Sequence, residues 1–166
     1  MLFVVFSSSF SSKKDTITIG SKDYTEQLIL GNVYAELVEK NTNLKVKKNL
    51  NLGGSSVAFN AIKSGELDMY VDYTGTLLVN VMRHAPIKDA DEAYNVVKDT
   101  MEKENQLTLL DPLGFNNTYT LAMMPETAEK YGINTISDLT KYGKEFTFSP
   151  TLEFENREDG LVGLSR

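Results

Sequence analysis

The chain has 166 residues and carries 23 acidic against 17 basic side chains, a formal charge of −6 with no basic run, which argues against nucleic acid as a partner. Its apolar (41%) and charged (24%) fractions are those of a globular chain rather than a disordered one, and its length allows one domain, or one lobe with part of another. The absence of cysteine removes disulfides, thiolate metal sites, a cysteine nucleophile and the residue on which exported bacterial proteins often carry a lipid anchor.

Residues 1–14 open with six apolar residues, pass through a serine run and end at Lys13-Lys14. Six apolar residues are too few for a signal sequence core or a membrane span. This segment is therefore read as a hydrophobic, Ser-rich stub outside the fold, either disordered or the outer end of a membrane-proximal helix. Residues 16–20 then predict a short β-branched strand ended by Gly20. Leu30, Val33, Tyr34, Leu37 and Val38 recur at helical spacing behind Thr25 as N-cap. Residues 45–52 predict a second strand, and Val57, Ala58, Ala61 and Ile62 a short helix stopped at Ser64-Gly65.

A strand over residues 66–73 follows. It ends in Tyr73-Thr74-Gly75-Thr76, a ring and hydroxyls at the C-terminal edge, where α/β sheets bind ligands. Residues 77–82 predict a buried apolar helix. Asp89 with Glu92 is a capping box for a helix whose core face is Ala90, Ala93, Tyr94, Val97 and Met101. Strands are expected at residues 107–110, 117–124 and 146–149, a turn at 111–114, and short helices at 126–131 and 137–142, with Tyr131 and Tyr142 as core. Alternation of strand and helix points to an α/β class with a mostly parallel sheet.

Two glycine-bearing loops, residues 20–25 and 53–56, leave backbone N–H groups at helix N-termini. They offer anion sites suited to a carboxylate, since the spacing of a Walker A loop or a dinucleotide fingerprint is missing. They can equally be ordinary βα turns. Glu66, Asp68 and Asp72 share strand parity, but no loop spacing supports a metal site, and no cofactor is implied. His84, the lone histidine, has no nucleophile context and reads as an exposed bystander. The Asn116-Asn117-Thr118 sequon reads as coincidence.

Five motifs then occur in order: Ile19-Gly20-Ser21-Lys22-Asp23-Tyr24-Thr25-Glu26-Gln27, Asn51-Leu52-Gly53-Gly54-Ser55, the stretch from Gly65 to Thr76, Leu113-Gly114-Phe115-Asn116-Asn117-Thr118-Tyr119, and Asn156-Arg157-Glu158-Asp159-Gly160. Over residues 16–164 the chain resembles the substrate-binding proteins of bacterial osmoprotectant ABC importers for glycine betaine, carnitine and choline. The resemblance implies a two-lobed, type II periplasmic-binding-protein-like fold, with residues 15–112 as lobe 1 and 113–166 as a partial lobe 2. It implies a receptor for quaternary-ammonium solutes, not an enzyme. A trimethylammonium group donates no hydrogen bonds and is held by aromatic faces.

Carried over by position, Tyr73 and Tyr119 are two cage walls, and Asn117 offers a backbone carbonyl to the methyl groups. Thr76, Lys22 and Arg157, with Gln27 a weaker candidate, address the carboxylate. Thr76 in place of an acid favours carboxylate-bearing solutes over choline. The implied partners are the solute and an ABC permease subunit, either separate or fused upstream. The implied place is the outer face of the cytoplasmic membrane or the periplasm, tethered to the membrane.

The family continues well past Arg166 and draws further cage tyrosines from that part. A chain ending here is therefore expected to bind weakly or not at all and to expose apolar surface over residues 113–166. Rival readings are an enzyme on the same fold, a sensor lobe, or a non-functional truncated remnant. An enzyme would need a cofactor-attachment cysteine or an acid–base pair that the sequence lacks.

Overall fold

The computed structural model describes residues 2–7, as backbone, and residues 15–165. Strand β2 (Thr16–Gly20) runs parallel to β3 (Lys45–Asn49), from Thr16 opposite Lys45 to Gly20 opposite Asn49. Helix α1 (Thr25–Asn41) makes the crossover between them. Helix α2 (Ser55–Lys63) makes the next, returning the chain to a parallel bridge between Ile19 and Met69 and to β4 (Val71–Tyr73). Gly20 has no room for a side chain: a Cβ there would lie 2.3 Å from Leu67. The strand end and the residues leading to β4 are therefore in direct contact.

The predicted strand over residues 66–73 is regular only at Val71–Tyr73, preceded by a single bridge at Met69, and Leu67, Met69, Tyr70, Val71, Asp72 and Tyr73 are all buried. After β4 the chain turns through α3 (Thr74–Thr76) into a π-helical segment, Leu77–Val81, with Met82 N–H on Leu77 O at 2.9 Å. Helix α4 (Ala90–Asn105) follows, its N-terminus capped by the Asp89 carboxylate on Glu92 N–H at 2.8 Å. It leads to β5 (Leu107–Leu109). Ala93, Val97 and Met101 face the core as predicted, while Ala90 is exposed.

One apolar cluster joins α2, Leu77, Leu78, α4 and β5; a second joins β2, α1 and β4. In α1 the face reading needs correction. Gln27, Gly31 and Ala35 are buried, while Val33 and Leu37 are about half exposed, and the N-cap is Tyr24 rather than Thr25. The small side chains of Gly31 and Ala35 let the helix approach the sheet, and Leu50 sits where a Cβ on Gly31 would fall.

The exclusion of the whole N-terminal stub is also corrected. Strand β1 (Leu2–Ser7) lies antiparallel between β4 and β5, with Leu2 opposite Tyr73 and Ser7 opposite Leu107. A run rich in β-branched and aromatic residues suits a strand with a neighbour on each side. It adds a three-stranded antiparallel sheet, β4-β1-β5, beside the parallel pair β2-β3, so the strands are not mostly parallel. The serine run and Lys13-Lys14 lie outside the described residues.

Beyond β5 the described chain is short helices and irregular segments: α5 (Pro125–Tyr131), α6 (Ile136–Leu139), α7 (Leu152–Glu155) and α8 (Leu161–Leu164). The strands expected at 117–124 and 146–149 are absent, since no ladder partner lies beside them among the described residues. Tyr131 and Tyr142 are half-buried in an aromatic trio with Phe146, centroids 5.1–6.4 Å apart, rather than in a core.

Candidate functional site

The site begins where β2 ends. The loop after Gly20 is tied to the loop before α2: Ser21 Oγ accepts from Asn51 N–H at 3.0 Å and Ser21 O from Leu52 N–H at 3.1 Å. This turns Lys22 inward, where it is 2% exposed. Its ammonium donates to Asp72 at 2.6 Å and to Ser55 Oγ at 3.2 Å, and lies 4.9 Å from the centre of the Tyr73 ring. Asp72, fully buried on β4, also accepts from Tyr70 OH at 2.7 Å and from Tyr73 N–H at 2.8 Å. Each buried charge thus has an opposite charge and further hydrogen bonds, the condition under which burial is tolerable. Burial, and then the Asp72 carboxylate, pushes the Tyr70 phenol well above the ordinary tyrosine value.

The Tyr73 ring is anchored at its other end. Its hydroxyl donates to Glu26, and the Asn117 side-chain amide donates to Glu26 at 2.9 Å and to Tyr73 OH at 3.2 Å. Gln27 is fully buried; its Oε1 accepts from Lys22 N–H at 3.5 Å, and its Nε2 meets no acceptor.

A second group of residues lies around Thr76 and Arg157. Arg157, 4% exposed, donates to Thr76 Oγ1 at 3.2 Å, grips Asp159 through two bonds of 2.7 Å, and stands 5.3 Å over the Tyr119 ring. Burial opposes its charge, but the bonds and charge of Asp159 outweigh burial and raise its pKa. Tyr119 packs on Phe154 at 4.8 Å. Burial, then the Glu153 charge, raises its phenol pKa.

Glu153 connects the two groups. Its carboxylate accepts from Ser55 Oγ at 2.8 Å, from Asn80 at 3.1 Å and from Arg157 at 3.5 Å. A cavity of about 290 Å³, lined by Ser55, Asn80, Arg83, Glu153 and Arg157 among others, opens beside it. The π-helical turn widens the chain where Asn80 leaves for Glu153, a placement such turns often have at functional sites.

The predicted residues therefore fall into two groups, Lys22, Gln27, Tyr73 and Asn117 in one and Thr76, Tyr119 and Arg157 in the other, bridged by Ser55 and Glu153. Asn117 meets its neighbours through its side chain. Ser55 lies in the glycine-bearing loop 53–56 read from sequence as an anion site, whereas Glu26, Glu153 and Asp159 have no role in the sequence reading. The only available signal for Glu153 is its helical spacing of four from Arg157. His84 is exposed. No cluster able to hold a metal, and no helix long and apolar enough to cross a membrane, occurs among the described residues.

The chain belongs to the family of substrate-binding domains of ABC-type glycine betaine transport systems, whose model matches residues 15–165. The family is one of extracytoplasmic binding proteins, which take small solutes and work with permease subunits, and not of enzymes. The chain is 39% identical to a carnitine transport binding protein of Listeria monocytogenes serotype 1/2a over 157 residues, 93% of this chain and 51% of that one. To an ergothioneine transport permease/ergothioneine binding protein of Helicobacter pylori it is 36% identical over 151 residues, 90% of this chain and 27% of that one. It is similar to the crystal structure of a glycine betaine/carnitine/choline ABC transporter at a TM-score of 0.62 and 31% identity, over 92% of this chain and 57% of the other. The fold is thus the two-lobed type II periplasmic-binding-protein fold with an incomplete second lobe. The chain spans about half the length, or less, of these relatives.

Proposed function

We propose that this chain is the solute-capturing part of an ABC importer for quaternary-ammonium compatible solutes, with Tyr73 and Tyr119 as cage walls and Thr76, Lys22, Arg157 and Gln27 around the carboxylate end. The observation that carries this reading is that each ring already holds a cation over its face, Lys22 on Tyr73 and Arg157 on Tyr119. Two walls that accept cations, with Thr76 Oγ1 at 3.2 Å from Arg157, form a pair of ends matched to a zwitterion. Asn117 would complete the Tyr73 side, and Gln27 Nε2 is a buried donor in want of an acceptor. The solute would be passed to a membrane permease, either a separate subunit or one fused upstream and serving as tether. The Helicobacter relative, whose name joins permease and binding protein, supports the fused form.

Magnitudes limit what these residues do alone. A cation–π contact contributes about 0.5–2 kcal/mol per ring. Two rings supply at most about 4 kcal/mol, a dissociation constant on the order of 1 mM. Calorimetric titration of the chain with glycine betaine, carnitine and choline should give weak, saturable binding that Tyr73→Ala abolishes while far-UV circular dichroism is unchanged. Binding unaffected by that substitution would overturn the reading.

A further inference from the structure

We propose that β1 is a positioning strand for the candidate site: by filling the slot between β4 and β5 it holds Asp72 and Tyr73, which no other strand pairs among the described residues. The family model matches residues 15–165, so β1 lies outside the part of the chain shared with that family.

The need for such a strand follows from how Lys22 is brought inward. β2 runs beside the chain leading to β4 only as far as Met69: Ile19 bridges Met69, and Gly20 N–H donates to Met69 O at 2.9 Å. Ser21 then leaves the sheet for Asn51 and Leu52, and this turn carries Lys22 to Asp72. The same turn leaves Val71, Asp72 and Tyr73 with no neighbour from β2. All three are buried, so their backbone groups need partners inside the protein. Tyr73 N–H finds one in the Asp72 carboxylate at 2.8 Å. The ladder along these residues is that of β1, with Leu2 opposite Tyr73, Phe3 opposite Asp72 and Val4 opposite Val71.

β4 cannot pair with β5 in its place. β1 is antiparallel to both, so β4 and β5 run parallel and two strand spacings apart, about 9–10 Å. β1 joins them in halves, residues 2–4 on β4 and residues 5–7 on β5. The joined strands also belong to different apolar clusters, Val71 and Tyr73 to one and Leu107 and Leu109 to the other. Withdrawal of β1 frees both edges and leaves Tyr73 placed by its side-chain contacts alone, among them Glu26, Asn117 and Lys22.

The consequence for solutes rests on the osmolyte reading above. A Tyr73 ring that is in place only while the slot is filled binds solute with an affinity reduced by the unfilled fraction. Linkage makes the effect reciprocal, so bound solute holds β1 in the slot.

The test is amide exchange of the 15N-labelled full chain, unsubstituted, as Phe3→Pro with Val4→Pro, and as Phe3→Ile with Val4→Ile. Successive N–H groups of a strand point to opposite neighbours, so one of the two prolines removes a donor to β4. In the unsubstituted chain residues 3–6 should be protected. The proline pair should speed exchange on the order of tenfold at residues 71–73 and 107–109 and leave Ile17 and Val46 unchanged. The isoleucine pair should match the unsubstituted chain. Free exchange at residues 3–6 in the unsubstituted chain, unchanged exchange at residues 71–73 in the proline pair, or a rise shared equally by Ile17 and Val97 overturns the proposal. If the proline pair fails to fold, exchange of the unsubstituted chain in low urea decides: residues 3–6 and 71–73 should open together, and separate opening overturns the proposal. In a second arm glycine betaine should bind the proline pair more weakly and, in the unsubstituted chain, slow exchange at residues 3–6 and 71–73 more than at Val97. Glycine betaine binding that ignores both the proline pair and Tyr73→Ala, with the exchange pattern intact, overturns the osmolyte reading and leaves the hold of β1 on Tyr73 standing.

Discussion

Residues 15–110 and 111–165 are stabilised in different ways. The first region has two apolar clusters, and its buried charges are paired across long sequence separations, as Lys22 is with Asp72. In the second only Ile133, Phe154, Arg157 and Gly160 are buried, α5 and α6 bury nothing, and Leu152, Met124 and Ile136 are 79%, 66% and 56% exposed. Helices of four to seven residues are far below the length at which helix formation sustains itself. The second region is held by local caps and turns and by its contacts to the first through Asn117, Glu153 and Arg157. A binding cleft placed between two such regions has one wall set by a core and another set by a few polar contacts.

The largest effect should come from the first region's buried pair. Asp72→Ala leaves the Lys22 ammonium buried with only Ser55 Oγ as partner and should lower stability by about 3–5 kcal/mol in urea unfolding. Lys22→Met combined with Asp72→Leu should recover most of that loss, because no unpaired charge remains. A loss below about 1 kcal/mol in the single variant would mean the pair behaves as a surface ion pair, and the contrast between the regions would fail.

A smaller effect, confined to the second region, is expected from Gly160→Ala. A Cβ at Gly160 would lie 2.2 Å from the Phe154 carbonyl oxygen and 3.2 Å from Arg157 Cβ. The first of these is backbone and cannot rotate away, so the turn that presents Arg157 has to open. Stability should fall by about 1–3 kcal/mol, a typical penalty for forcing atoms into a packed site. Amide shifts should change at Thr76, Tyr119 and residues 153–160 and stay fixed at Ile17, Ile19 and Val97. Changes spread through the first region would show the two to be one cooperative unit.

What the sequence made legible follows the same division. The existence of β2, α1, β3, α2 and α4 is legible because hydrophobic period and turn residues are local signals, although the buried face and cap of α1 were not. The alternation at 117–124 and 146–149 is also local, but a strand exists only against a partner edge, and none lies there among the described residues. β1 failed in the opposite direction: nothing in its six residues says that β4 and β5 lie one strand apart. At the site, Tyr73, Thr76, Tyr119 and Arg157 could be named because they sit in short motifs. The pairing of Lys22 with Asp72, 50 residues apart, and of Ser55 with Glu153, 98 apart, is a property of the fold. The roles of Glu26 and Asp159 were hidden for a different reason: each lies inside a quoted motif, and only the structure shows which neighbour it grips.

The smallest expected effect tests whether the second region's order is local. Asp138 sits in the capping box of α6, where it accepts from Asn134 N–H at 3.1 Å, from Thr135 N–H at 3.0 Å and Thr135 Oγ1 at 2.9 Å, and from Lys141 at 3.2 Å. The Asn134 amide, then the Thr135 hydroxyl and Lys141, favour its ionised form and lower its pKa from 3.8 to about 2. Because the folded value lies below the unfolded one, the stabilisation is complete above pH 3.8 and is lost as the pH falls through about 2. The Asn134 and Thr135 amide resonances should therefore titrate near pH 2, and Asp138→Asn should remove that step and raise amide exchange at residues 136–139. Because the bonds are within five residues, protection at Val97 and Met101 should not change. A loss of protection there would show that α6 is coupled to the first region's core, and would leave the two-region contrast without its simplest case.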